Sequence, residues 1–291
     1  MKKIAVFVLL GILLALEPMT GHAKPDAKTS QIDKADVEAA LQRTFGYDPG
    51  LSWTIYSVRP SAIPGVTDVL VSINKKKPQH IYLSPSGDNA IVGEIIPFGP
   101  NPFAATRAAL QAADGPDRGA QSPVMTIVVF SELQCAHCKA AQSTLDKLNA
   151  DFPQVRQVFE QFPLPASTHP WATKAAQFAD CAWRQNNRAF WKYLDVIFEK
   201  QGSISPDNAD AQLGQLAADA GLDAERISAC ASTPDAVARI ARSLALGKLQ
   251  ALDVTDVPTV FINGRRVATI ADIPYDDLKR LMKFEIDHAG K

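Results

Sequence analysis

The sequence predicts an α/β fold preceded by a small α+β domain, a helix plus an antiparallel sheet. Three patterns carry that prediction. A buried strand VMTIVVF (124–130), a helix over about 136–150 and a strand QVRQVFEQFP (154–163) form a right-handed βαβ unit with a parallel pair. Residues 170–250 are almost wholly helical in pattern, with breaks at Gly202, Pro206, Gly221 and Pro234, and an antiparallel hairpin follows them. Ahead of all this lies one amphipathic helix and four strand-like runs.

Each element has a local reason. Lys2 and Lys3 precede an apolar run from Ile4 to Leu16, which is 13 residues. A spanning helix needs ~20. Pro18, Gly21, His22 and Ala23 follow it, so residues 1–23 read as a signal peptide cleaved after Ala23. The expectation is an exported, soluble, periplasmic protein, in a compartment that permits disulfides.

The first mature block spans 24–105. Ser30 or Asp33 can cap a helix carrying Val37, Leu41 and Phe45, which Gly46 ends. The strand-like runs are SWTIYSV (52–58), VTDVLVSI (66–73), QHIYLS (79–84) and AIVGEII (90–96). PSGDN (85–89) turns between the last two. A short connecting helix is expected at 103–113. DGPDRGAQSP (114–123) is rich in Gly and Pro, so 106–123 reads as a linker.

The second block, 124–291, carries a helical insertion over about 165–250. VPTVFING (257–264) and RRVATI (265–270) form a hairpin turning at Asn263-Gly264. A last amphipathic helix presents Leu278, Leu281, Met282 and Ile286.

Charge excludes some functions. Removing Lys2, Lys3 and Glu17 from 30 basic and 31 acidic side chains leaves 28 and 30. No basic surplus points to nucleic acid, and no charge block to a membrane surface.

Four cysteines remain, at 135, 138, 181 and 230. Of the three possible pairings, 135 with 138 and 181 with 230 is the simplest. A bond between Cys181 and Cys230 closes a loop of ~50 residues, worth about 4 kcal/mol by chain entropy. Buried free thiols are the alternative.

The chemistry centres on SELQCAHCKAAQ (131–142). Cys135 would sit at a helix N-terminus, where free N–H groups and the dipole favour an anion. Its thiolate is stabilised there, and His137 between the cysteines can add to that. Cys138, one turn into the helix, is expected to be more buried and to act as the resolving thiol.

Other readings fit less well. Haem attachment requires a histidine where Lys139 stands. Zinc needs four ligands, and Cys135, His137 and Cys138 offer three at most. A passive staple would close too small a loop. Pro258, in TDVPTV, opens a strand as an ordinary trans proline would. His169-Pro170 and the aromatics Trp183, Phe190, Trp191 and Tyr193 read as helix start and core.

TIVVFSELQCAHC, AAQFADCAWRQNNRAFWKYLDVIF and LGKLQALDVTDVPTVFINGR together resemble the DsbA-type thiol-disulfide oxidoreductases, in the branch with a helical insertion. The resemblance spans 121–291. It implies a thioredoxin fold, Cys135 as nucleophile, Cys138 as its partner and a cis Pro258. The Val257 backbone would then be free to pair with a substrate strand. It also implies no cofactor beyond the cysteines and no metal. Partners would be unfolded or partly folded exported proteins and a membrane redox protein, DsbB-like or DsbD-like.

Two departures stand out. Ala136 replaces the usual proline. Val129 stands where the family often has a buried acid, six residues before the first cysteine. Glu132 could substitute in part, although it reads as a solvated loop carboxylate.

VRPSAIPGVTDVLVSI and HIYLSPSGDNAIVGEIIPF are similar to the dimerisation domain of DsbC/DsbG-type isomerases, over roughly 32–100. That resemblance implies a homodimer. The expected function is oxidation or isomerisation of disulfides in exported proteins. A reductase, a dimeric chaperone and a metal-handling protein are the alternatives.

Overall fold

A computed structural model describes residues 32–45, 50–93 and 101–289, so the expected signal peptide and Gly46 lie outside the described residues. The chain forms two compact units, divided between Gly93 and Glu94.

The first unit begins with α1 (Lys34–Phe45). Asp33 caps it reciprocally: its carboxylate accepts the Asp36 N–H at 2.9 Å, and the Asp36 carboxylate accepts the Asp33 N–H at 3.0 Å. Four antiparallel strands follow, β1 (Trp53–Pro60), β2 (Thr67–Ile73), β3 (Gln79–Leu83) and β4 (Ala90–Val92), in the order β1-β2-β3-β4. A bulge between Ile55 and Ser57 leaves Tyr56 exposed. Val37 and Leu41 of α1 pack on Ile55, Val69, Val71 and Ile81, giving the unit its own core. β4 covers only the start of the run expected at 90–96, and residues 94–100 lie outside the described residues.

The second unit opens with α2 (Ala104–Leu110) and β5 (Asp117–Gly119). The expected linker at 106–123 is therefore not a linker. β5 pairs antiparallel with a strand of the main sheet, and Gly115 and Gly119 allow close packing there. A Cβ on Gly119 would lie 2.1 Å from the Val155 carbonyl oxygen.

The main sheet adds β6 (Thr126–Ser131), β7 (Arg156–Gln161), β8 (Thr259–Ile262) and β9 (Arg265–Val267), in the order β5-β7-β6-β8-β9. β6 and β7 are parallel, and α3 (Ala136–Asp151) crosses between them. β8 and β9 form the expected hairpin, with Asn263 at φ 51° and Gly264 at φ 84°, both left-handed as the tight turn demands.

β6 is buried on both faces, so its apolar run does not alternate with polar residues. Ile127 and Val129 face α3 and the last helix, α9 (Tyr275–Asp287), through Leu145, Leu148, Leu278 and Met282. Val128 and Phe130 face the helical layer. That layer comprises α4 (Ala172–Gln185), α5 (Asn187–Lys200), α6 (Ala209–Asp219), α7 (Ala224–Ala231) and α8 (Pro234–Gly247). Phe190 and Tyr193 are fully buried there, while Trp183 and Trp191 are partly buried against the same core. Among the described residues, no helix is long and apolar enough to cross a membrane.

Candidate active site

The site lies where β6 ends and α3 begins. Cys135 is the N-cap of α3: its sulfur accepts the Cys138 N–H at 3.3 Å. Both cysteines are free and buried, at 4% and 2% exposure.

Their acidities diverge. A hydrogen bond from the Cys138 thiol, helped by the Cys138 and His137 backbone N–H groups, pulls Cys135 down to about 6 against its burial. Burial pushes Cys138 far up, as does the hydrogen bond it gives to Cys135. The Ser131 side chain and the Glu132 backbone N–H offset only part of this. Titrating near 6 favours the Cys135 thiolate by about 3–4 kcal/mol over an ordinary thiol. One buried pair thus holds a thiolate at pH 7 and a thiol kept neutral.

The Val257–Pro258 peptide is cis. Beside it, the Cys135 thiol donates to the Val257 carbonyl at 3.6 Å. Of the two Val257 backbone groups expected to be free, the carbonyl is therefore engaged while Cys135 carries its proton. Ionisation of Cys135 removes that donor. The loop is fastened by Thr259 Oγ1, which donates to the Asp256 carbonyl at 2.7 Å, and by Arg266, which donates to the Asp253 carbonyl at 2.9 Å.

The helical layer grips the loop between β6 and α3. Gln201 donates to the Leu133 carbonyl at 2.8 Å, and the Gln134 side chain accepts the Trp171 N–H at 2.9 Å. The insertion therefore helps to position the cysteines.

Two expectations need correction. Glu132 is not a solvated loop carboxylate. It is fully buried, in a loop held by Gln201 and Trp171. One of its oxygens accepts the Gln134 N–H at 2.8 Å, and the other meets His169 Nδ1. Burial raises its pKa, although Gln134 and His169 pull it down. His169 is consequently more than a helix start. His137 also differs from expectation. Its ring is exposed, and it acts on the Cys135 sulfur through its backbone N–H.

Cys181 and Cys230 are disulfide-bonded, 49 residues apart. The bond ties α4 to α7, and the Arg239 guanidinium lies 3.8 and 3.6 Å from the two sulfurs. Ser131 and His169 were not singled out from the sequence. Ser131 could have been found as the last residue of a buried strand that ought to be apolar. His169 had no local signal, because it meets Glu132 across 37 residues.

Known proteins give the site a context. The chain is 30% identical over 178 residues to the Na(+)/H(+) antiporter NhaA 3 of Salinispora tropica, covering 57% of this chain and 26% of that protein. It thus spans about a quarter of the length of the antiporters it matches. It is 22% identical over 174 residues to the disulfide bond formation protein D of Bacillus subtilis, covering 59% of this chain and 77% of that protein. The crystal structure of oxidised BdbD from Bacillus subtilis shares the fold, with a TM-score of 0.53 at 21% identity over 60% of this chain and 93% of that one. The thioredoxin family model matches residues 112–283, more than half the sequence and all of the sheet and helices around Cys135, so the chain belongs to the thioredoxin family.

Proposed function

We propose that this protein is a periplasmic thiol-disulfide oxidoreductase that oxidises or isomerises disulfides in exported proteins. One observation carries the reading. The Cys135 sulfur caps α3 as an acidified thiol, beside a cis peptide at Val257–Pro258 and a buried partner thiol. The likeness to a disulfide bond formation protein supports it.

In the oxidising direction, a client thiolate attacks the Cys135 sulfur of the oxidised pair. Cys138 leaves, and a mixed disulfide forms at Cys135. A second client thiolate then releases Cys135 as a stable thiolate. In isomerisation, the Cys135 thiolate of the reduced pair attacks a client disulfide. An extended client segment would add as a strand against the Val257 backbone.

The signal-like residues 1–23 support export. The exposed Tyr56, Ile63, Ile91 and Val92 of the first unit support a role as the homodimer contact. A membrane redox partner would reset the pair. Two refolding assays test the reading: oxidation of reduced ribonuclease and rescue of scrambled ribonuclease. Activity in the first alone marks an oxidase, and activity in the second an isomerase. A wild-type protein inert in both would remove the enzyme reading.

A further inference from the structure

The chain passes from β6 to Cys135 through Glu132, Leu133 and Gln134. Cys135 is the N-cap of α3 and has an extended backbone, with φ −75° and ψ 119°. An N-cap residue lies outside the helical φ/ψ region, so the helix alone does not fix its orientation. The 3.3 Å contact between the Cys135 sulfur and the Cys138 N–H therefore depends on how the preceding loop is held.

One peptide group in that loop is held at both ends. Its oxygen, the Leu133 carbonyl, accepts a hydrogen bond from Gln201 Nε2 at 2.8 Å. Its nitrogen, the Gln134 N–H, donates to the Glu132 carboxylate at 2.8 Å. The Gln134 side chain is held as well, because it accepts the Trp171 N–H at 2.9 Å. Leu133 is fully buried, and a carbonyl left unpartnered there would be costly. Gln201 itself stands on a braced support. It opens the 3-10 turn Gln201–Ser203 at the end of α5. The Asn208 side chain closes that turn: it accepts the Ser205 N–H at 2.7 Å and donates to the Ser203 carbonyl at 3.0 Å. Side chains carried on such supports hold a site more precisely than free loops do.

We propose that Gln201 is a positioning residue for the nucleophile: it locks the Leu133–Gln134 peptide, and that peptide aims the Cys135 sulfur at the Cys138 N–H. Gln134 is the second point of the clamp, through Trp171. The titratable side chains that bear on Cys135 are Cys138 and Glu132, while His137 and Lys139 on α3 are exposed. Gln201 is uncharged, so its removal changes the acidity of Cys135 by moving the loop. This inference rests on the oxidoreductase reading above and deepens it.

The test is alkylation of Cys135 by iodoacetamide across pH, in the reduced full chain. Gln201→Met keeps the length of the side chain but donates no hydrogen bond. The midpoint, near 6 in the wild type, is expected to rise by about one pH unit. The rate at pH 6 then falls about fivefold. Gln134→Leu removes the acceptor of the Trp171 N–H and should move the midpoint the same way, so it carries the test if Gln201→Met does not fold. A contact that only stabilises the fold would lower the urea midpoint and leave the alkylation profile of the wild type. That result, or wild-type behaviour of both variants throughout, overturns the clamp while leaving the oxidoreductase reading intact. A wild-type protein that neither oxidises nor rescues ribonuclease overturns both.

Discussion

The two cysteine pairs of this chain share a compartment and a side chain, yet differ in every property that matters for exchange. Cys135 and Cys138 lie three positions apart at the start of a helix, unbonded, with sharply different acidities. Cys181 and Cys230 lie 49 positions apart within two helices and are bonded to each other. The first pair gains little from closing a tiny ring, but its leading sulfur receives backbone N–H groups. The second closes a long loop in the helical layer, where a cross-link restricts the unfolded chain most. Placement relative to a helix N-terminus, rather than the residue type, separates the reactive pair from the stabilising one.

The largest effect that could break this comparison is loss of exchange. Cys135→Ser should abolish ribonuclease oxidation and isomerisation, whereas Cys138→Ser should accumulate mixed disulfides with client, visible on non-reducing gels. Retention of activity in Cys135→Ser would contradict the assignment. The second pair should behave oppositely. The Cys181→Ser/Cys230→Ser double variant should keep exchange but lose about 4 kcal/mol of stability in urea unfolding. If that variant unfolds like the wild type but loses exchange, the roles of the two pairs are reversed.

Much of this contrast was legible in the sequence because it depends on local spacing. The CxxC after an apolar strand, the Asn263-Gly264 turn and the breaks in the helical stretch all act over a few residues. What was not legible depends on distance. Glu132 read as a loop residue, and only the fold reveals the Trp171 and Gln201 contacts that bury its loop. β5 hid in a Gly- and Pro-rich stretch, because its glycines also permit close approach to a neighbouring carbonyl. The disulfide between Cys181 and Cys230, by contrast, was expected as part of the simplest of three connectivities, and the structure bears it out.

Two smaller predictions sharpen the contrast. Gly247, at the end of α8, has no room for a methyl group: a Cβ would lie 2.6 and 2.9 Å from Phe162 ring carbons. Gly247→Ala should therefore cost about 1–3 kcal/mol in urea unfolding. A neutral result would mean that the α8 contact with the Phe162 ring is loose. The smallest effect belongs to His137→Ala. With an exposed ring and an active backbone N–H, this variant should leave the acidity of Cys135 almost unchanged. A rise toward the ordinary thiol range would restore the ring as the tuning group.

The most direct measurement is the rate of Cys135 alkylation by iodoacetamide as a function of pH, in the reduced protein. Only the thiolate reacts. A folded pKa held below the unfolded value stabilises the reduced fold above the unfolded pKa, and that stability is lost as pH falls through the folded pKa. The rate should therefore climb through a midpoint near 6 and level off by neutral pH. A midpoint at the ordinary thiol value of about 8.5 would show that the Cys138 thiol and the N–H groups at the start of α3 do not stabilise a thiolate, and would contradict the account.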